Sequence, residues 1–526
     1  MMLRRNFLRN SGTLGLAAST PVLGAGTASG APLRPAVHNV LQYGAAGDGK
    51  RKDTRAILAA IGACAKSGGG TVFFPSGKYL TGAIELQSDL DLHLDSGAML
   101  LGSDDPADYP VYSSAWPDGS KIISSLIYGD RLNHVSVTGR GTIDGQGKAW
   151  WVREWLASPR HRVRIPAMSD AARAAETANV RYGRPRLIHF SNCTDVLIEG
   201  LTLTNSPFWT VHPMFCEYVT ISGVTILNPV PSPNTDGIDP ESSREVHISD
   251  CHIDVGDDCI AIKSGKDALG RQVGRPCENI TITNLTTVHG HAGVAIGSEM
   301  SGGVRNISIS NCVFQGTDRG IRIKTQRGRG GVVEGVAASN IVMQEVAEPV
   351  TITAFYSRGD VNSIEPVSEG TPVLRNVSLS NIMARGAKSA GQITGLRELP
   401  VSDVTLSRVE LAAERGFSCQ NARRIAFHDA RIECRGGPAL VARNVQGLQL
   451  DGVCPSGSSA GTPLVDAENV QDVFARGCSS SGAGSAFLRV SGAQSSGIVL
   501  RANNLGRPGD AVLFANGADP KILSRD

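Results

Sequence analysis

Val219-Thr220-Ile221-Ser222-Gly223 is one copy of a phrase that recurs along most of this sequence. Each copy places one residue between two aliphatic residues and is followed within a few residues by Ser, Asn or Gly. From Val196, successive copies begin 23, 27, 34 and 27 residues apart. The other copies are Val135-Ser136-Val137, Val196-Leu197-Ile198, Val246-His247-Ile248, Ile280-Thr281-Ile282, Ile307-Ser308-Ile309, Val377-Ser378-Leu379, Val404-Thr405-Leu406 and Ile425-Ala426-Phe427.

This alternation predicts short strands that bury one face. A repeat of twenty to thirty residues with strands and turns, and little helical pattern, indicates a solenoid. A leucine-rich repeat would need Leu-x-x-Leu-x-Leu and helical connections, and the sequence lacks that pattern. We therefore predict an all-β parallel β-helix whose coils stack about 4.8 Å apart.

Three features lie outside the repeated phrase. The stretch from Asp53 to Lys66 has aliphatic residues at helical spacing, and we expect a helix that caps the N-terminal end with Asp53 as its N-cap. The stretches Trp150 to Arg184 and Lys266 to Pro276 interrupt the coils, and their composition predicts loops at the walls of a cleft. Asparagines before x-Ser or x-Thr, as at Asn279 and Asn306, predict turn ladders.

The N-terminus resembles an export signal. Arg4-Arg5 precedes Phe7-Leu8, a mildly apolar stretch from Leu14 to Leu23 and a run of small residues. Paired arginines followed by Phe-Leu resemble the twin-arginine signal of bacteria. We expect residues 1–31 to be this signal, residues 32–526 to form a single β-helix domain, and the protein to be periplasmic or secreted.

The composition excludes several other classes of protein. Of 526 residues, 61 are glycine and only 5% are aromatic, as expected for strands and tight turns rather than helices. The formal net charge is +2, so no global field favours nucleic acid as a partner. No segment after the signal has the roughly 18 apolar residues of a membrane span. Eleven cysteines without a C-x-x-C pair predict mostly buried, inert thiols and no zinc site, with one or two disulfides left open.

Acidic residues cluster where the repeat carries long loops. Asn234-Thr235-Asp236-Gly237-Ile238-Asp239 is followed by Gly256-Asp257-Asp258-Cys259. Asp236 and Asp257 are 21 residues apart, close to one coil, so they should lie on adjacent coils of one face. Carboxyl groups this close cannot all ionise normally, and at least one pKa should rise. Such an arrangement suits a glycosidase that works with an acid and a base.

Basic residues follow on the next two coils. His291 lies in His289-Gly290-His291-Ala292-Gly293, and the following coil carries Arg322 and Lys324. The latter two are two residues apart on a predicted strand, so they should point to one face. Two cations beside a carboxylate cluster suit a substrate with carboxylates of its own.

Each of these residues also has a simpler interpretation. Asp236 and Asp239 could cap turns or bind calcium, and Asp257 with Asp258 could pair structurally with Lys263 or Arg322. His291 alone would be a structural histidine. Their order on four successive coils favours a catalytic site over these readings.

Taken together, the series Asn-Thr-Asp, Gly-Asp-Asp, His-x-Gly with Ile-Gly-Ser, and Arg-Ile-Lys resembles glycoside hydrolase family 28, the polygalacturonases. The resemblance runs from about Val37 to at least Tyr356, including Tyr43-Gly44-Ala45-Ala46-Gly47-Asp48-Gly49 and Thr142-Ile143-Asp144-Gly145-Gln146-Gly147. It implies a right-handed parallel β-helix and an inverting hydrolase that needs no metal or other cofactor. The catalytic coils would span residues from about 195 to 360.

The resemblance implies a role for each catalytic side chain. Asp257 would be the general acid, and Asp236 and Asp258 would activate the attacking water. His291 would support protonation of Asp257. Since inversion needs an acid and a base roughly 6.5–9.5 Å apart, we expect Asp257 to be well separated from the other two carboxylates.

The same resemblance implies substrate contacts. Arg322 and Lys324 would hold a galacturonate carboxylate, and Tyr356 would contact the sugar. Asn234 would orient Asp236 or a sugar hydroxyl.

Two departures from the common family pattern favour the bacterial exo-acting branch. His291 lies one position further from Ile296 than usual, and Ala292 follows it where Gly is common. Ser206-Pro207-Phe208-Trp209-Thr210-Val211-His212-Pro213 is similar to the same branch. Trp209 and His212 would line a sugar subsite or, equally, form a wall of the core.

The sequence thus predicts an inverting hydrolase that cuts α-1,4-galacturonosidic bonds of pectin and oligogalacturonides, acidic polysaccharides of the plant cell wall, with exo action. Alternatives are a hydrolase of rhamnogalacturonan or xylogalacturonan, a polysaccharide lyase, and a non-catalytic carbohydrate-binding solenoid. The coils from about 370 to 526 carry no family motif and would be scaffold or an additional surface. The oligomeric state is left open.

Overall fold

The aliphatic phrase forms ladders inside a stack of coils. Ile221, Ile248 and Ile282 pair in register on successive parallel strands, and all three are fully buried. Thr220 and His247, the residues between the aliphatic positions, face outward. Because every coil is hydrogen-bonded to the next, the backbone polar groups of the buried strands are satisfied between coils. The predicted right-handed parallel β-helix is confirmed.

The computed structural model describes residues 36–158, 168–357, 359–457, 461–482, 486–505 and 511–525. The predicted signal, residues 1–31, lies outside this part. The described residues from Ala36 onwards form one compact unit. Within them, no helix combines the length and the apolar character needed to cross a membrane.

Each coil contributes strands to three parallel sheets. The front sheet contains Ile84–Glu85, Ile127–Asp130, Ile188–Ser191, Val211–Met214, Asp258–Ile262, Ala292–Ile296, Arg319–Lys324, Glu348–Thr353, Val465–Glu468, Leu488–Ser491 and Val512–Ala515. The second sheet contains Ala36–Asn39, Gly70–Phe74, Leu90–Leu94, Asn133–Gly139, Thr194–Glu199, Glu217–Ser222, Arg244–Ser249, Cys277–Thr283, Gln471–Arg476, Ser496–Arg501 and Leu523–Arg525. The third sheet contains Asp48–Lys52, Gly77–Thr81, Ala98–Gly102, Thr142–Asp144, Thr202–Thr204, Thr225–Leu227, His252–Asp254, Thr286–Val288, Cys454–Gly457 and Ser481–Gly482.

Longer strands run around the corners from one sheet to the next. They are Val304–Gln315, Val332–Gln344, Val373–Thr394, Val401–His428 and Arg431–Asp451. One antiparallel hairpin, Val111–Ser113 with Lys121–Ile123, projects from the early coils. Short 3-10 helices occupy Val40–Tyr43, Pro106–Asp108 and Pro520–Ile522.

The predicted capping helix is present as α1, Thr54–Lys66. Its buried residues recur at helical spacing and pack on the first coils, which covers the open end of the stack. Asp53 stands at the N-cap position, but its carboxylate does not cap the helix. It accepts hydrogen bonds from the backbone N–H groups of Ala46 (2.7 Å) and Gly47 (3.0 Å), because the preceding turn folds over it.

The prediction of loops between Trp150 and Arg184 and between Lys266 and Pro276 is wrong. These stretches contain helices α2 (Lys148–Ala157), α3 (Asp170–Ala178) and α4 (Asp267–Val273). In α2 the buried Trp150, Trp151 and Leu156 supply an apolar face that the arginine-rich composition obscures.

The predicted asparagine turns are confirmed. Asn279 and Asn306 adopt positive φ angles of 56° and 58°, a conformation that asparagine tolerates better than most residues. Asn306 donates a hydrogen bond of 2.9 Å from Nδ2 to Oδ1 of Asn279 on the previous coil. This contact joins equivalent positions of two successive coils.

Candidate active site

Adjacent coils of the front sheet bring three carboxylates together. Asp236 lies two residues before Ile238, which pairs with Val211 on one side and Ile260 on the other, and Asp258 begins the next strand. One carboxylate oxygen from each of Asp236, Asp257 and Asp258 lies within 4.8 Å of the others. Asp236 and Asp258 are buried, whereas the Asp257 side chain is 19% exposed. Asp257 is therefore the carboxylate that opens most to the surface.

We expected Asp257 to lie well apart from the other two carboxylates, and this prediction is wrong when the nearest carboxylate oxygens are compared. The distance of at most 4.8 Å is shorter than the roughly 6.5–9.5 Å expected for an acid and a base that flank a water. Asp236 and Asp257 lie on adjacent coils, which stack about 4.8 Å apart, and Asp258 directly follows Asp257 in the sequence.

His291 contacts the most exposed carboxylate. Its Nδ1 lies 2.9 Å from Oδ1 of Asp257, and its backbone N–H donates to the carbonyl of the same aspartate, also at 2.9 Å. The hydrogen bond to Asp257 raises the pKa of His291. Burial acts to raise the pKa of Asp257, but the hydrogen bond and charge of His291, together with the charges of Lys324 and Lys263, outweigh it and lower the pKa to about 2. The pair therefore shares one proton, held mainly on the imidazole.

A carboxyl pKa does rise, as the sequence predicts, but at Asp236. Burial is the largest cause, and the negative charges of Asp257 and Asp239 add to it, so the pKa lies well above its ordinary value. Of the two, Asp236 and not Asp257 is the carboxyl that holds a proton most readily.

Two cations from a later coil reach the third carboxylate. Nζ of Lys324 lies 2.5 Å from Oδ2 of Asp258, and Nη1 of Arg322 lies 3.4 Å from Oδ1. Tyr356, 47% exposed, covers them with its ring centroid 5.2 Å from Lys324 and 5.8 Å from Arg322. The expected carboxylate-binding pair thus already contacts a carboxylate of the protein.

Lys263 also belongs to this cluster. The sequence indicated it only as a possible structural partner of Asp257 and Asp258. Its Nζ lies 3.3 Å from Asp239, 3.7 Å from Asp236 and 3.9 Å from Glu299. The same nitrogen lies 4.6 Å from the centroid of the Trp209 ring. Its place at the end of an apolar strand was the available signal, because a buried lysine requires carboxylate partners.

Asn234 contacts Asp257 rather than Asp236. Its Nδ2 lies 3.5 Å from Oδ2 of Asp257, and its Oδ1 accepts a hydrogen bond of 2.8 Å from Nη2 of Arg184. Arg184, which the sequence did not single out, is buried, and its Nε lies 3.5 Å from Glu154 on helix α2. A continuous chain of contacts therefore joins α2 to Asp257.

Trp209 and His212 differ in exposure. His212 is fully buried, with Nε2 3.0 Å from Glu241 and its ring stacked on His189 at 4.7 Å. Burial lowers its pKa well below the ordinary value. Trp209 is partly exposed and lies against His212 at 4.8 Å between ring centroids. Only Trp209 of the two offers a surface to a sugar, and His212 supports it from behind.

Comparisons with known proteins agree with this geometry. The sequence profile of Glycosyl hydrolases family 28 matches residues 75–428, and one described as Rhamnogalacturonase A/epimerase, pectate lyase-like matches residues 37–112. A probable polygalacturonase of Vitis vinifera is 34% identical over 384 residues, which cover 71% of this chain and 74% of that protein. An endo-polygalacturonase of Pectobacterium carotovorum is 28% identical, with 66% and 80% covered.

The solved structures give the same result. A hyperthermoactive exopolygalacturonase from Thermotoga maritima has 30% sequence identity and a TM-score of 0.66, and the match covers 75% of this chain and 91% of that chain. The family match spans more than half of the 526 residues. The chain therefore belongs to glycoside hydrolase family 28.

Proposed function

We propose that this protein is an exported, exo-acting polygalacturonase that hydrolyses the α-1,4-galacturonosidic bonds of pectin with inversion. The observation that carries the proposal is the trio Asp236, Asp257 and Asp258, with its most exposed member paired to His291. Family membership supports a glycoside hydrolase, and the relatives named above are described as polygalacturonases.

The proton for the leaving group comes from the Asp257–His291 pair. As the C1–O bond breaks, its electrons pass to the glycosidic oxygen, which takes a proton from Asp257, and His291 replaces that proton. Water attacks C1 from the other face and loses a proton to a carboxylate. Asp236 accepts this proton, and its raised pKa makes it a strong base once it is ionised, while Asp258, fixed by Lys324, orients the water.

The substrate carboxylate binds the same two cations that contact a carboxylate of the protein. Lys324 and Arg322 meet Asp258 beneath the exposed ring of Tyr356. A galacturonate carboxylate entering beside Tyr356 shares these two cations, which a neutral sugar could not do. This arrangement favours an acidic polymer over a neutral one.

Exo action is supported by the segments inserted before the catalytic coils. Helix α2 contacts Arg184 through Glu154, within two contacts of Asp257. The hairpin Val111–Ser113 and Lys121–Ile123 carries Trp116 in its turn, and this ring packs against Phe215 at 4.9 Å. We infer that these insertions close the cleft on the N-terminal side, so that a chain end enters from the C-terminal side. The twin-arginine signal would deliver the folded protein to the periplasm or the medium.

The test incubates residues 32–526 with polygalacturonic acid and follows reducing ends, ultraviolet-absorbing unsaturated product and product size. We expect saturated product released from chain ends by the wild type and not by Asp257→Asn. Unsaturated product would indicate a lyase, and a ladder of intermediate lengths would indicate endo action.

The stereochemical course is measured separately by proton NMR of the first product. Inversion at an α-linkage gives the β-anomer. An initial α-anomer would overturn the inverting mechanism and would agree with the short distance between the carboxylates, since retaining enzymes hold theirs about 5–5.5 Å apart.

A further inference from the structure

The row of residues that begins with Lys324 continues beyond the catalytic coils. Lys324 pairs in register with Thr353, and Thr353 pairs with Thr394. The same row then passes through Gln420, Arg443 and Glu468 on the next three coils. Because coils stack about 4.8 Å apart, Gln420 lies about 14 Å and Glu468 about 24 Å along the front sheet from Lys324.

A polar groove lies over this later part of the row. It encloses about 560 Å³ and is lined by Gln420, Arg443, Glu468, Asn362, Arg397 and Gln494. A neighbouring cavity of about 240 Å³ shares Arg397 and adds Arg423 and Gln446. Much of this lining lies after residue 428, where the family match ends. The groove therefore spans the end of the family match, with Arg397 and Arg423 before it and Arg443 and Glu468 after it.

The charges of the groove are not balanced. Arg443 pairs with Asp466 and Glu468. Arg397 and Arg423 are exposed and form no salt bridge or side-chain hydrogen bond within the described residues, although the charge of Arg423 acts on Asp403. The other lining groups are mainly amides, which bind hydroxyl and carboxylate oxygens, and no aromatic ring lines either cavity. These groups match a hydroxylated, carboxylate-bearing ligand rather than an apolar one.

The wall that carries Arg397 is held in place. Glu398 accepts two hydrogen bonds from Arg327, at 2.6 and 2.9 Å, and Arg327 also bonds Ser363. Asn421, which is buried, donates from Nδ2 to the carbonyls of Gly395 and Val361, each at 3.0 Å. These contacts tie the groove to the segment that follows Tyr356, so the cleft and the groove share one wall.

We propose that this groove is a second binding site for an acidic oligosaccharide segment, which holds the distal part of the galacturonate chain whose end lies at Asp257. The inference rests on the proposed function. A chain bound at both places gains affinity because the second contact is intramolecular. A saccharide too short to span from Lys324 to the groove does not share this gain.

The test measures binding in the Asp257→Asn background, where hydrolysis does not consume the ligand. Dissociation constants for long polygalacturonate and for digalacturonate are determined by calorimetry for the parent and for a variant that adds Arg397→Ala and Arg423→Ala. We expect the two added changes to weaken binding of the long chain by roughly tenfold, with digalacturonate bound as before. Equal affinity of both proteins for the long chain would contradict the proposal that the groove binds the substrate.

The matched control is Arg55→Ala, an exposed arginine on helix α1 that also has no ion pair in the part of the chain described. This change should leave the affinity for polygalacturonate unchanged. An equal loss of affinity would show that the effect of the groove variant comes from the lower net positive charge and not from the groove. If the double change also weakened the binding of a neutral galactan, the proposal that the groove selects an acidic ligand would be wrong. If the wild type fails to cleave polygalacturonate, the proposed function fails, while binding that depends on Arg397 and Arg423 still supports the groove.

Discussion

The catalytic coils and the C-terminal coils share one framework but place their charges differently. In the catalytic coils Asp236 and Asp258 are buried and meet the buried lysines Lys263 and Lys324. In the C-terminal coils Asp403 meets Arg424 and Asp451 meets Arg476 nearer the surface, and the buried Asp466 meets the more exposed Arg443 and Arg489. The catalytic coils thus differ in burying both members of their ion pairs.

That burial carries a cost in stability. Charges removed from water lose several kcal/mol of solvation each, which a partner only partly restores. Lys263 lies 3.3 Å from Oδ1 of Asp239, whereas Oδ2 of Asp239 and Oδ1 of Asp236 are buried without a hydrogen bond to the described residues. Surface pairs such as Asp403 with Arg424 change stability by about 0–1 kcal/mol. The catalytic coils therefore hold buried charges that their partners compensate only in part.

The largest expected difference between the two regions is in turnover. Asp257→Asn should lower kcat by about 10²–10⁴-fold, because the leaving oxygen loses its acid. Initial rates on polygalacturonate, with circular dichroism to confirm the fold, measure this. Asp451→Asn in the C-terminal coils is the matched control and should retain the wild-type kcat; a kcat preserved in Asp257→Asn would exclude this residue as the acid.

The second difference is in stability. Lys263→Met should lower the free energy of unfolding by about 3–5 kcal/mol, since it leaves buried carboxylates without their cation. Arg424→Met, which breaks an exposed pair, should change it by about 0–1 kcal/mol. Urea denaturation followed by fluorescence compares the two variants, and equal losses would contradict a special role for burial.

The third expected difference between the regions is in the pH dependence of catalysis. The Asp257–His291 pair holds its proton below the pKa of His291, which is raised above the usual value of about 6.5, and loses it as the pH rises through that pKa. We expect kcat/KM to fall over that range and the alkaline limb to change in His291→Gln. His289→Gln, which removes an exposed contact with Asp254, serves as the control and should keep the wild-type profile.

The smallest effect should come from reduction. The ten buried cysteines of the described residues are free thiols, so no disulfide joins any two of them in either region. Dithiothreitol should leave the melting temperature unchanged by scanning calorimetry. A drop would show a bridge that these positions do not contain.

The sequence predicted what repetition and spacing determine. The 21 residues between Asp236 and Asp257 placed them on adjacent coils, and the spacing of Arg322 and Lys324 placed them on one face. It did not predict that Lys263 would reach Asp239 and Glu299, because that contact depends on how side chains from three coils share a buried space.

The distances between the carboxylates and the helices in the insertions were also predicted wrongly. The distance from Asp257 to Asp236 follows from the stacking of adjacent coils and its distance to Asp258 from their adjacency in the sequence, whereas the expected separation came from the mechanism that the family resemblance implies. Helices α2 and α3 were missed because their apolar residues are few and arginines surround them. Arg184 had no recognisable motif, since its partners Glu154 and Asn234 lie 30 and 50 residues away in the sequence.

The contact chain from Glu154 through Arg184 and Asn234 to Asp257 has an evolutionary consequence. Insertions between coils are the cheapest part of a solenoid to lengthen or replace, since the ladder beneath is untouched. Here such an insertion contacts Arg184, which holds Asn234 beside a reacting carboxylate. Divergence in the length of α2 can therefore alter the rate and the accepted substrate together, and adaptation to a new polymer need not begin in the catalytic coils.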